Sequence, residues 1–312
     1  MKLSNAVAKY VTYKRSAGMR FNTEARTLKS FCQALGDIPM AEVRPDQVLA
    51  YLAGTGPITS FWERKHGALC GFYRFAIARG YATLSPLPPR VPKPPLAFVP
   101  YIYSRAELRR LLDVASATDH PRTRIDPHVL RALLLLLYGA ALRISEALSL
   151  TMADLDLEQS VLCIRESKFY KTRLVPMGPD LAKALGQFIA DRGRTYSCQP
   201  DSPVFPCRDG SPITVRIAEN AFRRVRNRAG VLRHDNARYQ PRLHDLRHSA
   251  AVHRLIAWYR SGADVQFLLP QLATYLGHIH IAATQRYLSL TPELLREASL
   301  RFERYVMEAH HA

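Results

Sequence analysis

The chain is poor in features that mark several protein classes. Its five cysteines, Cys32, Cys70, Cys163, Cys198 and Cys207, are odd in number and form no CxxC pair. That argues against a disulfide scaffold or zinc ribbon and for a reducing cytoplasm. Long apolar runs are missing too: the longest, Ala132 to Leu142, is broken by Gly139 and flanked by Arg131 and Arg143. It is too short to cross a bilayer. The opening residues MKLSNAVAKY hold no apolar signal segment, so nothing argues for secretion. Acid is scarce, with 26 Asp and Glu against 44 Lys and Arg, a net charge of +18. Such a surplus points to a polyanionic partner, nucleic acid first, with a ribosomal or membrane surface as the blander reading.

What is present suits a globular protein of two domains. The 312 residues are 47% hydrophobic, enough for a sizeable core. Residues 1–88 read as four short amphipathic helices. Ala6, Val7, Tyr10 and Val11 form one stripe, ended by Gly18; Ala25, Leu28, Phe31, Cys32 and Leu35 form a second, closed by Gly36. Pro45 opens a third, with Val48, Leu49 and Leu52 on one side and Gly54 after it. The fourth runs from about Ser60 to Arg79 and is expected to bury Phe61, Leu69, Phe72 and Phe75. Seven of residues 85–100 are proline, which fixes φ and donates no amide, so residues 89–100 read as an extended linker carrying Arg90 and Lys93.

Residues 101–312 read as mostly helical. Ser104 and Glu107 make a capping box, and His128 to Leu137 is an almost wholly apolar helix expected at the domain centre. Val161–Glu166 and Thr172–Met177 read as antiparallel strands joined at Ser167–Tyr170. Helices resume over Asp180–Ala190, Ala218–Ala229 and Pro292–Ala309. The fold class is therefore mainly α with a small antiparallel β-sheet.

Four clusters carry candidate chemistry, each with a bland alternative. Arg143 follows the apolar helix and has a ready salt-bridge partner in Glu146. Lys168 sits at the hairpin tip with Lys171 and Arg173 behind it, where a basic turn is usually just solvated. His244 and Arg247 share a face at a helix start, a ready anion site, with Asp245 as an ordinary capping residue and a His–Asp metal pair as a rival. His278 follows Leu276-Gly277, and Tyr287 comes nine residues later; a lone tyrosine is more often packing, and Tyr275 is the nearby competitor.

Taken together, Arg143, Lys168, His244, Arg247, His278 and Tyr287, with their local contexts Ala141-Leu142-Arg143-Ile144-Ser145-Glu146, Arg173-Leu174-Val175-Pro176, His244-Asp245-Leu246-Arg247-His248 and Leu276-Gly277-His278, resemble the tyrosine recombinases, the family of phage integrases and Xer-type recombinases. The segment from Ile256 to Asp264 and beyond is longer than in typical Xer-like proteins. The resemblance implies a SAM-like N-terminal DNA-binding bundle over 1–88, a catalytic domain over 101–312 and no cofactor or metal. It also implies strand cleavage and rejoining on double-stranded DNA, a homotetramer across two sites, and possible partner recombinases. Tyr287 would attack the phosphate, Arg143, Arg247 and His278 would bind its oxygens, His244 would assist proton transfer and Lys168 would protonate the leaving oxygen. Arg64, Lys65, Arg74 and Arg79 on the fourth helix, with Arg90 and Lys93, are candidate DNA contacts. Integration or excision of a mobile element is the expected role, against a silent accessory DNA-binding relative, a type IB topoisomerase or a metal-dependent phosphohydrolase.

Overall fold

The computed structural model describes residues 1–56, 58–89, 91–92, 99–117, 123–165, 172–235, 237 and 239–309, with backbone alone from 304. The chain divides into two compact units, Met1–Phe98 and Val99–Ala312.

The first unit has four helices: α1 (Leu3–Ser16), α2 (Asn22–Leu35), α3 (Pro45–Ala53) and α4 (Ser60–Ala78). Their ends follow the punctuation of the sequence, with Pro45 in the first turn of α3 and Gly36 and Gly54 just past helix ends at positive φ. Leu3, Leu28, Phe31, Val48, Leu69 and Phe72 are fully buried in one core. Gly71 lets α4 approach α1, since a Cβ there would lie 2.5 Å from the Tyr10 hydroxyl. Two residues of the expected apolar faces turn outward: Leu49 is 51% exposed, and Phe61 is 48% exposed while Trp62 fills the core instead. Thr59 caps the helix by accepting from the Phe61 amide. Residues Tyr81, Ala82 and Leu87 also pack on this core.

The second unit is built on α6 (Pro127–Gly139), whose Val129, Leu133, Leu136 and Leu137 are shut from solvent. Around it lie α5 (Arg105–Ala117), α8 (Pro179–Arg192) and α10 (Leu243–Arg260). Between these come α7 (Ile144–Leu148) and α9 (Val215–Arg228); α11 (Val265–Leu276), α12 (Ala282–Gln285), a 3-10 turn (Arg286–Ser289) and α13 (Pro292–Ala309) follow. The expected capping box opens α5, with the Ser104 amide 2.8 Å from Glu107 Oε2 and the Glu107 amide 3.2 Å from Ser104 Oγ. The sheet is antiparallel, β1 (Leu155–Asp156), β2 (Val161–Ile164) and β3 (Arg173–Pro176), with Val161 opposite Pro176 and Ile164 opposite Arg173. β1 is two residues long, too short for any alternation to mark it. The stretch from Ile256 onward finishes α10, turns at Gly262 (φ 72) and enters α11 with the Asp264 side chain capping the Phe267 amide. Of the apolar residues of α13, Leu294 is buried, whereas Leu295 and Phe302 are 51% and 67% exposed.

No helix among the described residues is long and apolar enough to cross a membrane.

Candidate active site

The site is assembled on the C-terminal end of α11. The last carbonyls of any helix have no partner within it, and here three consecutive ones each hold a different arginine. Tyr275 O accepts from Arg173 Nε at 3.3 Å, Leu276 O from Arg247 Nη2, and Gly277 O from Arg143 Nη2 at 3.0 Å. Gly277 is required twice over: its φ is 64°, and a Cβ would lie 3.0 Å from the Arg173 guanidinium. A fourth carbonyl comes from Ala141, a non-glycine residue at φ 49° whose oxygen accepts from Arg247 Nη1 at 2.7 Å. A left-handed alanine is uncommon, and strain of this kind gathers at functional positions.

Glu146 binds the arginines from the other side. Arg173 grips it with both ends of its fork, at 3.0 and 2.9 Å, and Arg143 adds its side chain at 2.7 Å and its amide at 3.0 Å. Arg247 Nη1 stands 4.0 Å away. Burial alone would raise the Glu146 carboxyl, but the hydrogen bonds from Arg173 and Arg143 outweigh it and hold it down at about 2. Three guanidiniums around one carboxylate leave two positive charges uncompensated within the cluster. Burial, and then the Arg143 charge, pull Arg247 down to about 10, so it stays ionised at neutral pH. A pocket of unbalanced, oriented guanidiniums is what an oxyanion needs.

His278 and Tyr287 complete the cluster. Arg247 Nη2 lies 3.3 Å from His278 Nε2, and His278 Nδ1 lies 2.7 Å from Thr284 Oγ1. Arginine only donates, so Nε2 accepts and Nδ1–H donates to the fully buried Thr284. Burial, then Arg247, Arg143 and Arg173, lower the imidazole to about 4. Tyr287 is 2% exposed, its ring stacked near His278 at 6.2 Å between centroids. Burial raises its phenol, while Arg247 pulls it back by charge and a hydrogen bond. The imidazole at its hydroxyl is that of His248, Nδ1 to Oη 3.0 Å; His244, exposed at the rim, stands edge-on to His248 with centroids 4.7 Å apart.

Thus Arg143, Arg247, His278 and Tyr287 come together, with His244 one ring removed. Lys168 lies outside the described residues, as do Arg90 and Lys93. Asp245 caps α10 by accepting from the Arg242 amide at 2.8 Å. Tyr275 turns its hydroxyl to Pro176 O at 3.2 Å. On α4, Arg64, Arg74 and Arg79 are exposed, but the Lys65 ammonium donates to Tyr51 O at 2.7 Å and burial lowers it. Sequence reasoning did not assign Arg173, His248 or Thr284 to the site and read Glu146 as a salt-bridge partner only. Glu146, Arg173 and His248 stand within the motif contexts, which mark the neighbourhood but not their contacts; for Thr284 the sequence holds no signal. Among the described residues, no three His, Cys, Asp or Glu side chains are grouped to hold a metal ion.

The sequence profile of the phage integrase family matches residues 104–293. A Sinorhizobium fredii protein named as an integrase/recombinase, y4rB, is 33% identical over 303 residues, 96% of each chain. Two solved structures share the fold. The Tn1549 transposon integrase in complex with transposon right-end DNA has TM-score 0.72 at 17% identity, covering 97% of this chain and 99% of that one. The lambda integrase tetramer bound to a Holliday junction has TM-score 0.65 at 16% identity, covering 92% and 77%. The chain belongs to the phage integrase family and is an enzyme of the tyrosine recombinase class.

Proposed function

We propose that the protein cleaves and rejoins DNA at specific sites through a 3′-phosphotyrosine on Tyr287, in the cytoplasm, in the integration or excision of a mobile element. The observation that carries this reading is the positive cluster of Arg143, Arg173 and Arg247 against the single Glu146, with Tyr287 packed beside it. Attack by the phenol oxygen spreads negative charge over the equatorial phosphate oxygens. Arg143, still 24% exposed, and Arg247 offer donors to them, and His278 offers a third once its proton moves to Nε2, Thr284 then donating to Nδ1. Lys168 delivers a proton to the leaving 5′-oxygen, and His244 assists proton movement at the tyrosine. The covalent intermediate conserves the phosphodiester bond energy, so resealing needs no external energy source. The basic surplus neutralises backbone phosphates, with Arg64, Arg74 and Arg79 of α4 among the contacts. A homotetramer across two sites is supported by the lambda integrase tetramer on its junction.

The experiment is covalent trapping on labelled duplexes from the DNA flanking the gene, nicked near candidate sites. We expect a protein–DNA adduct that survives SDS and disappears in Tyr287→Phe. A salt-sensitive gel shift with no adduct would favour the accessory DNA-binding reading.

A further inference from the structure

We propose that His248 is the catalytic partner of the nucleophile: its Nδ1 holds the Tyr287 hydroxyl proton and receives it as the oxygen–phosphorus bond forms. The inference rests on the reading of Tyr287 as nucleophile. The geometry comes first. His248 Nδ1 lies 3.0 Å from Tyr287 Oη, and the two rings stand 5.5 Å apart at 55°. A hydroxyl has one proton and two acceptor positions. Arg247, the foremost charge acting on this phenol, can only donate, so the proton is left for His248. With the proton turned to His248, the lone pairs of Oη are left for attack.

The surroundings keep the imidazole neutral and ready to accept. It is half-buried, with His244, Arg242 and Arg247 on its own helix and Arg286 beside Tyr287. Burial, then these groups, lower it to about 3 in the resting protein. Each negative charge brought in raises a neighbouring base. A phosphodiester supplies one, and the pentavalent transition state a second, so His248 becomes a stronger base as the reaction needs it. The step balances. Tyr287 Oη bonds to phosphorus, the bond from phosphorus to the 5′-oxygen breaks, the phenol proton passes to Nδ1, and the leaving oxygen takes a proton from Lys168. Rejoining runs in reverse, with His248 returning the proton to the departing phenol oxygen. His244, its ring against that of His248, is the next station toward solvent.

The test compares single-turnover cleavage of a nicked duplex by the wild type, His248→Leu and His248→Asn, each checked for unchanged DNA affinity. A second substrate carries sulfur in place of the leaving 5′-oxygen and needs no proton on its leaving group. We expect His248→Leu to be slower by about a hundredfold or more, the size of a positioned base. His248→Asn, whose Oδ1 accepts the hydrogen bond but not the proton, should fall between Leu and wild type. Sulfur should restore Lys168→Ala and leave both His248 variants slow. Either His248 variant cutting within threefold of wild type, or restored by sulfur, overturns the assignment; the Asn variant decides alone if the Leu variant does not fold. An adduct persisting in Tyr287→Phe, run alongside, would instead overturn the reading of the nucleophile.

Discussion

Arg192 and Arg247 are both almost fully buried, at 1% and 2% exposure, and both are gripped by backbone carbonyls. Arg192 gives Nε to Val204 O at 3.0 Å, Nη1 to Ser197 O at 2.7 Å and Nη2 to Pro203 O at 2.6 Å. Its fork is spent closing one loop, 197–204, back onto the end of α8. Arg247 takes its carbonyls from two distant places, Ala141 and Leu276, and its remaining reach goes to His278 and Tyr287. It also shares its surroundings with two further guanidiniums and one carboxylate. A buried charge is costly unless paired. The first arginine discharges that cost within the fold, whereas the second sits in a cluster whose surplus positive charge awaits an anion.

Substitutions separate the two roles. Arg247→Ala should lower single-turnover cleavage by a thousandfold or so, since removal of one oriented donor to an oxyanion typically costs a hundred- to a thousandfold and this residue offers a fork. Arg192→Ala should leave cleavage per folded molecule unchanged and instead strand three carbonyls, at roughly 3 kcal/mol or more, read from the urea midpoint. Equal loss of cleavage in both would erase the distinction.

The carboxylate that balances the cluster comes next. Glu146→Gln breaks a buried charge network and should destabilise by about 3–5 kcal/mol in urea unfolding. The Glu146 carboxyl is depressed when folded, so its stabilisation is present above about pH 4.5 and is lost as pH falls toward 2. His278 and His248 act in the same direction at higher pH. The unfolded chain protonates them near 6.5, the folded one at about 4 and about 3, so acid favours unfolding from pH 6.5 downward. The melting temperature should therefore fall steadily below pH 6.5, and Glu146→Gln should flatten the part below 4.5. A wild-type profile level from 7 to 4 would contradict these assignments.

Smaller effects sharpen the picture. Thr284→Val removes the hydrogen-bond partner of His278 Nδ1 and should slow cleavage about tenfold, one lost hydrogen bond's worth. Ala141→Gly relieves a left-handed alanine and should raise stability by at most about 1 kcal/mol, as the αL penalty allows, with cleavage unaffected or slightly reduced.

Much of this was legible in the sequence, for identifiable reasons. Gly and Pro punctuation marked α1 to α4, and the apolar run from His128 placed α6 at the centre. Periodicity marks which stripe of a helix is apolar but not its exact rotation, hence the exchange of Phe61 for Trp62. On α13 it could not say that Leu294 alone of Leu294, Leu295 and Phe302 would find cover. In the site, the side chains with unusual chemistry were visible in chain order. The cradle was not, because backbone carbonyls look alike in every sequence and nothing distinguishes those of Tyr275, Leu276 and Gly277 before the chain is folded. Glu146, Arg173 and His248 stand within recognisable motifs, but with Glu146 and Arg173 27 residues apart, and His248 39 from Tyr287, nothing in the sequence pairs them.

The most direct measurement of the central claim is to digest the trapped adduct with trypsin and nuclease and locate the nucleotide remnant by mass spectrometry. Arg286 and Arg296 release Tyr287 on a peptide separate from Tyr275. A remnant on Tyr287–Arg296 is the predicted result. A remnant on the peptide carrying Tyr275, or on any other residue, would contradict the site as described.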